Sequence, residues 1–297
     1  MPAFWHWFVA AGTILFVIWC IWLITWSAKQ SPQDLADSDL VGHKWDGDLE
    51  EWNNPAPRWW LYFYFGTIIW AVGYLIAYPG LGGWDGLLGW TEVGQYEEEM
   101  QTAAARYEPI YERYAAMSFD EIQQQPDAMK LGASLFASYC TTCHGSDAHG
   151  AKGFPNLTDN DWLWGDTEAA ITTTIRKGRN GVMPVLAPAL GGEDGVNNMV
   201  AYVRSLSGLA EADAAAMSAK AKFLALCSAC HGSDGSGNPL FGAPNLTDDV
   251  WLFGSSQETV HTTVTQGRSS LMPAHGELLG DNRSKILAAY VASLSKQ

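Results

Sequence analysis

Cys140-Thr141-Thr142-Cys143-His144 recurs as Cys227-Ser228-Ala229-Cys230-His231, and the reading of this stretch decides the fold. On a helix, positions i, i+3 and i+4 share one face, so two thiols and an imidazole meet one flat ligand. C-x-x-C-H is the attachment signature of a c-type haem: the cysteines bond covalently to the porphyrin vinyl groups and the histidine sits beneath the iron. The competing readings are a zinc pair or a redox C-x-x-C. Zinc needs two further ligands at suitable spacing, and a redox motif has no use for the following histidine. Two motifs in a duplicated context favour haem, and therefore two haems.

The duplication is legible around the motifs. Pro155-Asn156-Leu157-Thr158 matches Pro244-Asn245-Leu246-Thr247, and Trp162-Leu163-Trp164-Gly165 matches Trp251-Leu252-Phe253-Gly254. Gly178-Arg179 and Met183-Pro184 match Gly267-Arg268 and Met272-Pro273, and Ala201–Leu206 matches Ala289–Leu294. Two copies are too few for a solenoid, so the pattern reads as two similar, mostly helical domains over 127–208 and 213–297. Helices are expected around Ala169–Lys177 and Glu258–Gln266, and each copy ends in an amphipathic helix. In the second, Ile286, Leu287, Tyr290, Val291 and Leu294 recur at near-helical spacing. A domain of this size has a thin core, and a bound porphyrin supplies a large apolar plate to bury.

An iron held by His144 or His231 needs a second axial ligand. Met183 and Met272 stand at one repeat position, each before proline, 39 and 41 residues after their histidines. Proline stiffens a loop and helps to present a thioether at a fixed angle. Met/His ligation favours reduced iron and raises the potential. The rivals His149, His261 and His275 have no counterpart in the other copy. Ligation of each haem by the methionine of its own domain is the default expectation, although adjoining repeats could exchange their Met loops. Asn156/Asn245 and Arg179/Arg268 either hydrogen-bond propionates or brace the loop, and Trp162/Trp251 either contact propionates or pack.

Ahead of the duplication lie two uncharged runs. Phe4–Trp26 and Trp59–Tyr78 are each long enough to cross about 30 Å of hydrocarbon as a helix. A cleaved signal peptide would want a basic leader, and there is no Lys or Arg before Lys29. The first run therefore reads as a retained span. His6 reads as an interfacial residue and Cys20 as a packing residue. The intervening 27–58 carries Lys29, Lys44 and Arg58, whereas both flanks lack basic residues, so the positive-inside rule puts this loop in the cytoplasm and both ends outside. Haem attachment in bacteria belongs to the periplasmic side, which agrees. Thr91–Gln125 is charged and helical, with a capping box at Ser118–Glu121, and reads as a stalk. The formal charge is −15, but 127–297 carries twelve basic against sixteen acidic residues, so the haem region is only mildly acidic. No basic patch appears, which excludes nucleic acid as a partner.

The loop Lys44-Trp45-Asp46-Gly47-Asp48-Leu49-Glu50-Glu51-Trp52-Asn53-Asn54-Pro55-Ala56-Pro57-Arg58-Trp59-Trp60, with Tyr78-Pro79-Gly80-Leu81-Gly82 and the two haem modules, resembles the dihaem subunit (CcoP or FixP, subunit III) of cbb3-type cytochrome c oxidases. The resemblance covers nearly the whole chain, and the extra N-terminal span departs from members that have only the second. It implies a mainly α protein: a first transmembrane helix and cytoplasmic loop at 1–58, a second helix at 59–80, a periplasmic stalk at 81–126 and two tandem cytochrome c-like domains. It further implies a bacterial inner-membrane electron-transfer subunit with two haem c groups. Electrons from c-type cytochrome donors would pass towards the monohaem and catalytic haem–copper subunits, with oxygen reduction and proton transport belonging to the complex. The aromatic loop would contact those subunits or lie in an interfacial belt. A membrane-tethered dihaem shuttle and a dihaem peroxidase are the rival readings. The peroxidase would need one iron without a firm sixth ligand.

Overall fold

The computed structural model describes residues 3–28, 40–52 and 57–295 and divides into two compact units, 1–105 and 106–297. In the first unit, α1 (Ala3–Ser27) is apolar throughout, and a hairpin of β1 (Leu40–Trp45) and β2 (Leu49–Trp52) follows. Asp46 and Gly47 take positive φ of 50° and 94° at the hairpin turn, which suits the Asp-Gly pair found there. Lys44 and Glu50, opposite in register, form an ion pair at 2.6 Å. Next comes α2 (Arg58–Ala77), which packs against α1. Both helices are long and apolar enough to cross a membrane. Gly82, with φ 63°, approaches the His6 backbone so closely that a Cβ there would collide with it, and Gly83 lies against the His6 ring. The hairpin was not expected from the sequence, and Lys29 and Asn53-Asn54-Pro55 lie outside the described residues.

Helix α3 (Glu92–Ala115) contains the boundary between the units. The second unit continues with α4 (Phe119–Gln123), opened by the expected capping box: the Ser118 hydroxyl accepts from Glu121 N–H, and the Glu121 carboxylate accepts from Ser118 N–H at 2.8 Å. Then come α5 (Pro126–Tyr139), α6 (Thr141–His144), α7 (Glu168–Lys177), β3 (Arg179–Met183), α8 (Ala187–Leu190) and α9 (Glu193–Leu206). The second copy supplies α10 (Ala214–Ser218), α11 (Lys220–Leu226), α12 (Ser228–His231), α13 (Gln257–Gln266), β4 (Arg268–Met272) and α14 (Gly276–Leu294). Each C-x-x-C-H forms its own short helical turn after a break at Cys140 or Cys227, rather than lying inside a long helix.

The repeats in sequence are not the packed lobes. α14, at the end of the second copy, packs against α5 and α7 of the first. Its Leu287, Ala288, Val291 and Ala292 share a core with Leu135, Phe136, Ile171 and Ile175. Reciprocally, α9 packs on α10, α11 and α13, with Val196, Met199, Val200 and Tyr202 in one core with Phe223, Val260 and Val264. The aromatic contacts repeat the exchange: Phe136 meets Tyr290 at 5.9 Å, and Phe223 meets Tyr202 at 5.4 Å. The two similar domains expected over 127–208 and 213–297 thus pack across their boundary, each giving its closing helix to the other. One lobe is α4–α7 closed by α14; the other is α10–α13 closed by α8 and α9.

The crossing point is a two-stranded ribbon. β3 and β4 pair antiparallel, with Arg179 opposite Met272, Gly181 opposite Ser270 and Met183 opposite Arg268. Residues alternate in exposure along both strands, so Arg and Met of each strand share the inner face while Val182 and Leu271 point outward. Gly132 of α5 sits so close to Tyr290 of α14 that an added Cβ would collide with the tyrosine Cβ. At the matching helix crossing of the other lobe Ala219 occupies that position and is 3% exposed. Gly132→Val is therefore expected to destabilise the haem unit by about 1–3 kcal/mol through overpacking. Thermal unfolding of the purified protein measures this, and an unchanged midpoint would show that the crossing is looser than described.

Candidate functional site

Each C-x-x-C-H turn is followed by a loop that returns a carbonyl to the histidine. His144 Nδ1 lies 3.1 Å from Pro155 O, and His231 Nδ1 lies 3.0 Å from Pro244 O. A ring that donates its Nδ1–H to a carbonyl keeps the Nε2 lone pair for a metal. Burial lowers the pKa of both histidines, outweighing the carbonyl bond that raises it, so both stay neutral as ligands require. The repeated Asn-x-Thr braces this loop: Asn156 Oδ1 accepts from Thr158 N–H and hydroxyl at 2.9 and 2.7 Å, and Asn245 does the same for Thr247.

The first thiol of each motif lacks the depressed pKa of a redox pair. Burial, with a smaller contribution from Cys143, pushes the Cys140 thiol up to about 11, and Cys227 is raised for the same reasons. A redox C-x-x-C needs the opposite shift. The structure also holds a buried donor that suits a porphyrin carboxylate. The Trp251 indole N–H is buried without a protein acceptor, and Trp251 packs against the same core as Cys227, Leu246 and Met183. The donor set and histidine orientation of both motifs, with the orphaned indole of the Cys227 lobe, fit c-type haem binding.

The methionines arrive from the other copy. Met272 packs into the core that carries Cys140, Leu157 and Trp162. Met183 packs into the one that carries Cys227, Leu246 and Trp251. This departs from the default of own-domain pairing, because β3 and β4 each cross to the opposite lobe before their Met-Pro. Of the rival histidines, His149 is exposed and bonds to Asp147, while His261 bonds to Glu193 at 3.0 Å. Only His275 lies near enough for its charge to depress His144; its N–H donates to Ile175 O at 2.9 Å. Arg179 and Arg268 each bond to the helix preceding their strand, which is the loop-bracing alternative.

Between the lobes lies a cavity of about 570 Å³ lined by Asp159, Asp161 and Asp248 together with Trp162 and Trp251. Asp159 and Asp248 are repeat partners that cap turns by accepting from Asp161 N–H and Val250 N–H at 3.0 Å. Asp161 has Val250 as its counterpart, so this third carboxylate belongs to one copy only and escaped the search for repeated motifs.

The comparisons with known proteins follow this architecture. Residues 37–85 match the N-terminal domain of cytochrome oxidase-cbb3, FixP, and residues 127–203 and 214–291 each match the family described as cytochrome C oxidase, cbb3-type, subunit III. The chain is 44% identical over 292 residues to a Cbb3-type cytochrome c oxidase subunit CcoP from Rubrivivax gelatinosus, covering 98% of this chain and 95% of the relative. That coverage cannot omit the 25 residues of α1, so the extra N-terminal helix falls within the matched region. It is 40% identical to a FixP subunit of Azorhizobium caulinodans over 86% of this chain and 92% of the relative. A CcoP subunit of Cereibacter sphaeroides is 36% identical over 90% of this chain and 98% of the relative.

Burial first, and then the charges of Asp248 and Asp159, raise the pKa of Asp161 above the ordinary carboxylate value. A raised folded-state pKa means that the stability contributed by the protonated group is complete below the ordinary value and is lost as pH rises through the raised one. At neutral pH the ionised carboxylate therefore opposes folding. Asp161→Asn is expected to raise the thermal midpoint at pH 7, with the gain vanishing in acid below about pH 4. A gain independent of pH, or a loss at pH 7, contradicts this account. The chain, with its c-type haem-binding domains and apolar N-terminal helix, belongs to the cbb3-type cytochrome c oxidase subunit III (CcoP/FixP) family of membrane electron-transport proteins.

Proposed function

We propose that this chain is the electron-input subunit of a cbb3-type oxidase, a non-catalytic carrier with two haem c groups. It takes electrons from c-type cytochrome donors and passes them towards the monohaem and haem–copper subunits. One-electron cycling of iron is the chemistry the bound haems supply. Cys140 and Cys143, and Cys227 and Cys230, fix the porphyrins covalently. His144 and His231 bind from one side as neutral imidazoles oriented by the Pro155 and Pro244 carbonyls. The sixth ligands are crossed: Met272 serves the His144 site and Met183 the His231 site. The carrying observation is that each C-x-x-C-H shares a packed core with the Met-Pro of the other copy. A thioether from Met183 or Met272 on each iron would hold the potentials high, as delivery to an oxygen-reducing partner requires, and would disfavour peroxidase chemistry.

The crossed sets are tested by removing one attachment site. In the Cys140→Ser/Cys143→Ser chain, which retains only the second haem, Met183→Ala is expected to abolish the remaining methionine-to-iron band near the red edge of the spectrum. Met272→Ala in the same background leaves it, and in the intact chain His275→Ala leaves both bands. The reverse dependence restores own-copy ligation.

In the inner membrane, α1 and α2 are read as two spans, with Lys44 and Arg58 between them on the cytoplasmic side and the haem unit periplasmic. The seating of His6 against Gly82 and Gly83 supports a retained first span. Trp45 and Trp59 are 59% and 69% exposed, a density of bare aromatic surface that suits contact with the oxidase subunits. A Trp45→Ala/Asp46→Ala chain is expected to keep both haems and its place in the membrane. It should nevertheless copurify less with the catalytic subunit and support slower oxygen consumption from a cytochrome donor. Normal assembly and turnover would favour the tethered-shuttle reading instead.

A further inference from the structure

Between each Gly-Arg and each Met-Pro runs one strand of the ribbon, and the arginines are held far more firmly than a solvent-facing residue would be. Arg179 donates from Nε to Thr174 Oγ1 at 2.8 Å and from Nη2 to Ala170 O at 3.2 Å, with its guanidinium 4.8 Å over the Trp164 ring. Arg268 repeats every contact: Nε to Thr263 Oγ1 at 2.9 Å, Nη2 to Thr259 O at 3.4 Å, and 4.5 Å over the Phe253 ring. Each threonine hydroxyl donates its own proton to that same helix carbonyl at 2.8 Å, so its oxygen is free to accept from the arginine.

The rings beneath the guanidinium groups are themselves seated by the other copy. Gly242 lies against Trp164, where a Cβ would collide with the indole, and Gly153 lies against Phe253 at ordinary contact distance. Gly153 N–H also donates to Leu252 O at 2.8 Å. A fork bonded twice to a helix and stacked on an aromatic ring fixes one end of a strand, a geometry that lysine does not reproduce.

What that fixed end faces is the ligand of the other copy. Arg179 is the direct register partner of Met272, and Arg268 that of Met183. Gly178 and Gly267, with φ of 69° and 71°, let the chain pass so close that a Cβ on either would collide with the Met272 or Met183 carbonyl. Met272 thus reaches its lobe pinned against Arg179 of the copy whose C-x-x-C-H it faces, and Met183 against Arg268.

We propose that Arg179 and Arg268 are positioning residues for the sixth ligands, Arg179 for Met272 and Arg268 for Met183, each acting across the ribbon on the other copy's methionine. The proposal rests on the crossed ligand sets above. Its test uses the full-length protein with both haems attached, in detergent. Covalent haem content reports folding, and the methionine-to-iron band of each haem, resolved by redox titration, reports ligation. Losing a charge-assisted hydrogen bond is expected to raise the methionine-off form of one haem on the order of tenfold. The loss of that band in alkali then begins at lower pH.

Arg179→Leu is expected to weaken the band that Met272→Ala abolishes, and Arg268→Leu the band that Met183→Ala abolishes. Arg179→Lys restores the first only in part. If Arg179→Leu leaves both bands and both alkaline midpoints unchanged, or strikes the band of Met183, the proposal is overturned. Should Arg179→Leu fail to accumulate with both haems, Thr174→Val removes only the Nε acceptor and is expected to weaken the Met272 band more mildly; an unchanged band there also overturns it. Failure of crossed ligation reads differently, since it appears in the single-haem chains as dependence on the wrong methionine, whichever band follows Arg179.

Discussion

The haem unit depends on one backbone pairing, the antiparallel ladder of Arg179–Met183 with Arg268–Met272. Because the strands run in opposite directions, each chain segment that enters the ribbon beside one C-x-x-C-H leaves it beside the other. Everything C-terminal to the crossing must then pack on the opposite copy. α14 closes the lobe of His144, and α9 closes the lobe of His231. Neither lobe is complete on one contiguous stretch of chain, so the two haem sites form together.

That exchange explains details that appear unrelated when taken singly. Gly132 opposite Tyr290 and Ala219 in the matching lobe are the helix crossings of an exchanged pair. Gln123 bonds to Ala289 O at 3.0 Å and Lys285 bonds to Met117 O at 2.8 Å, both tying the second copy to the segment ahead of the first, and Arg204 bonds to Ser255 O at 3.0 Å across the copies. Each contact is modest by itself, but the first two join residues 166 and 168 apart in sequence and the third residues 51 apart, so all three close long loops in the unit.

The departures from symmetry lie where the copies meet. Asp161 lies near Asp248 at the central cavity while its counterpart is Val250, and Asp249 stands where the other copy has Asn160, so the two sides place their carboxylates differently. His144 is 8% exposed, whereas His231 sits in a more open setting beside a loop whose Leu240 is 84% exposed. The two C-x-x-C-H turns therefore share their histidine–carbonyl bond yet differ in the solvent around them.

The sequence by itself determined what is local. The capping box at Ser118 and the helices expected around 169–177, 258–266 and 286–294 depend on residues within a turn or two of one another, and each stands where the pattern placed it. The two apolar runs of α1 and α2 were legible for the same reason. Only the tertiary structure decided against which copy each methionine and each closing helix packs. Near-identical repeats present near-identical faces, so hydrophobic patterning is satisfied equally by packing at home or across. The choice was made by non-local backbone pairing and by the close passage of Gly178 and Gly267 past the opposing Met carbonyls, neither of which leaves a periodic trace in the chain. Asp161 escaped for the complementary reason: a single carboxylate in a loop acquires its raised pKa from neighbours that only the folded interface brings to it.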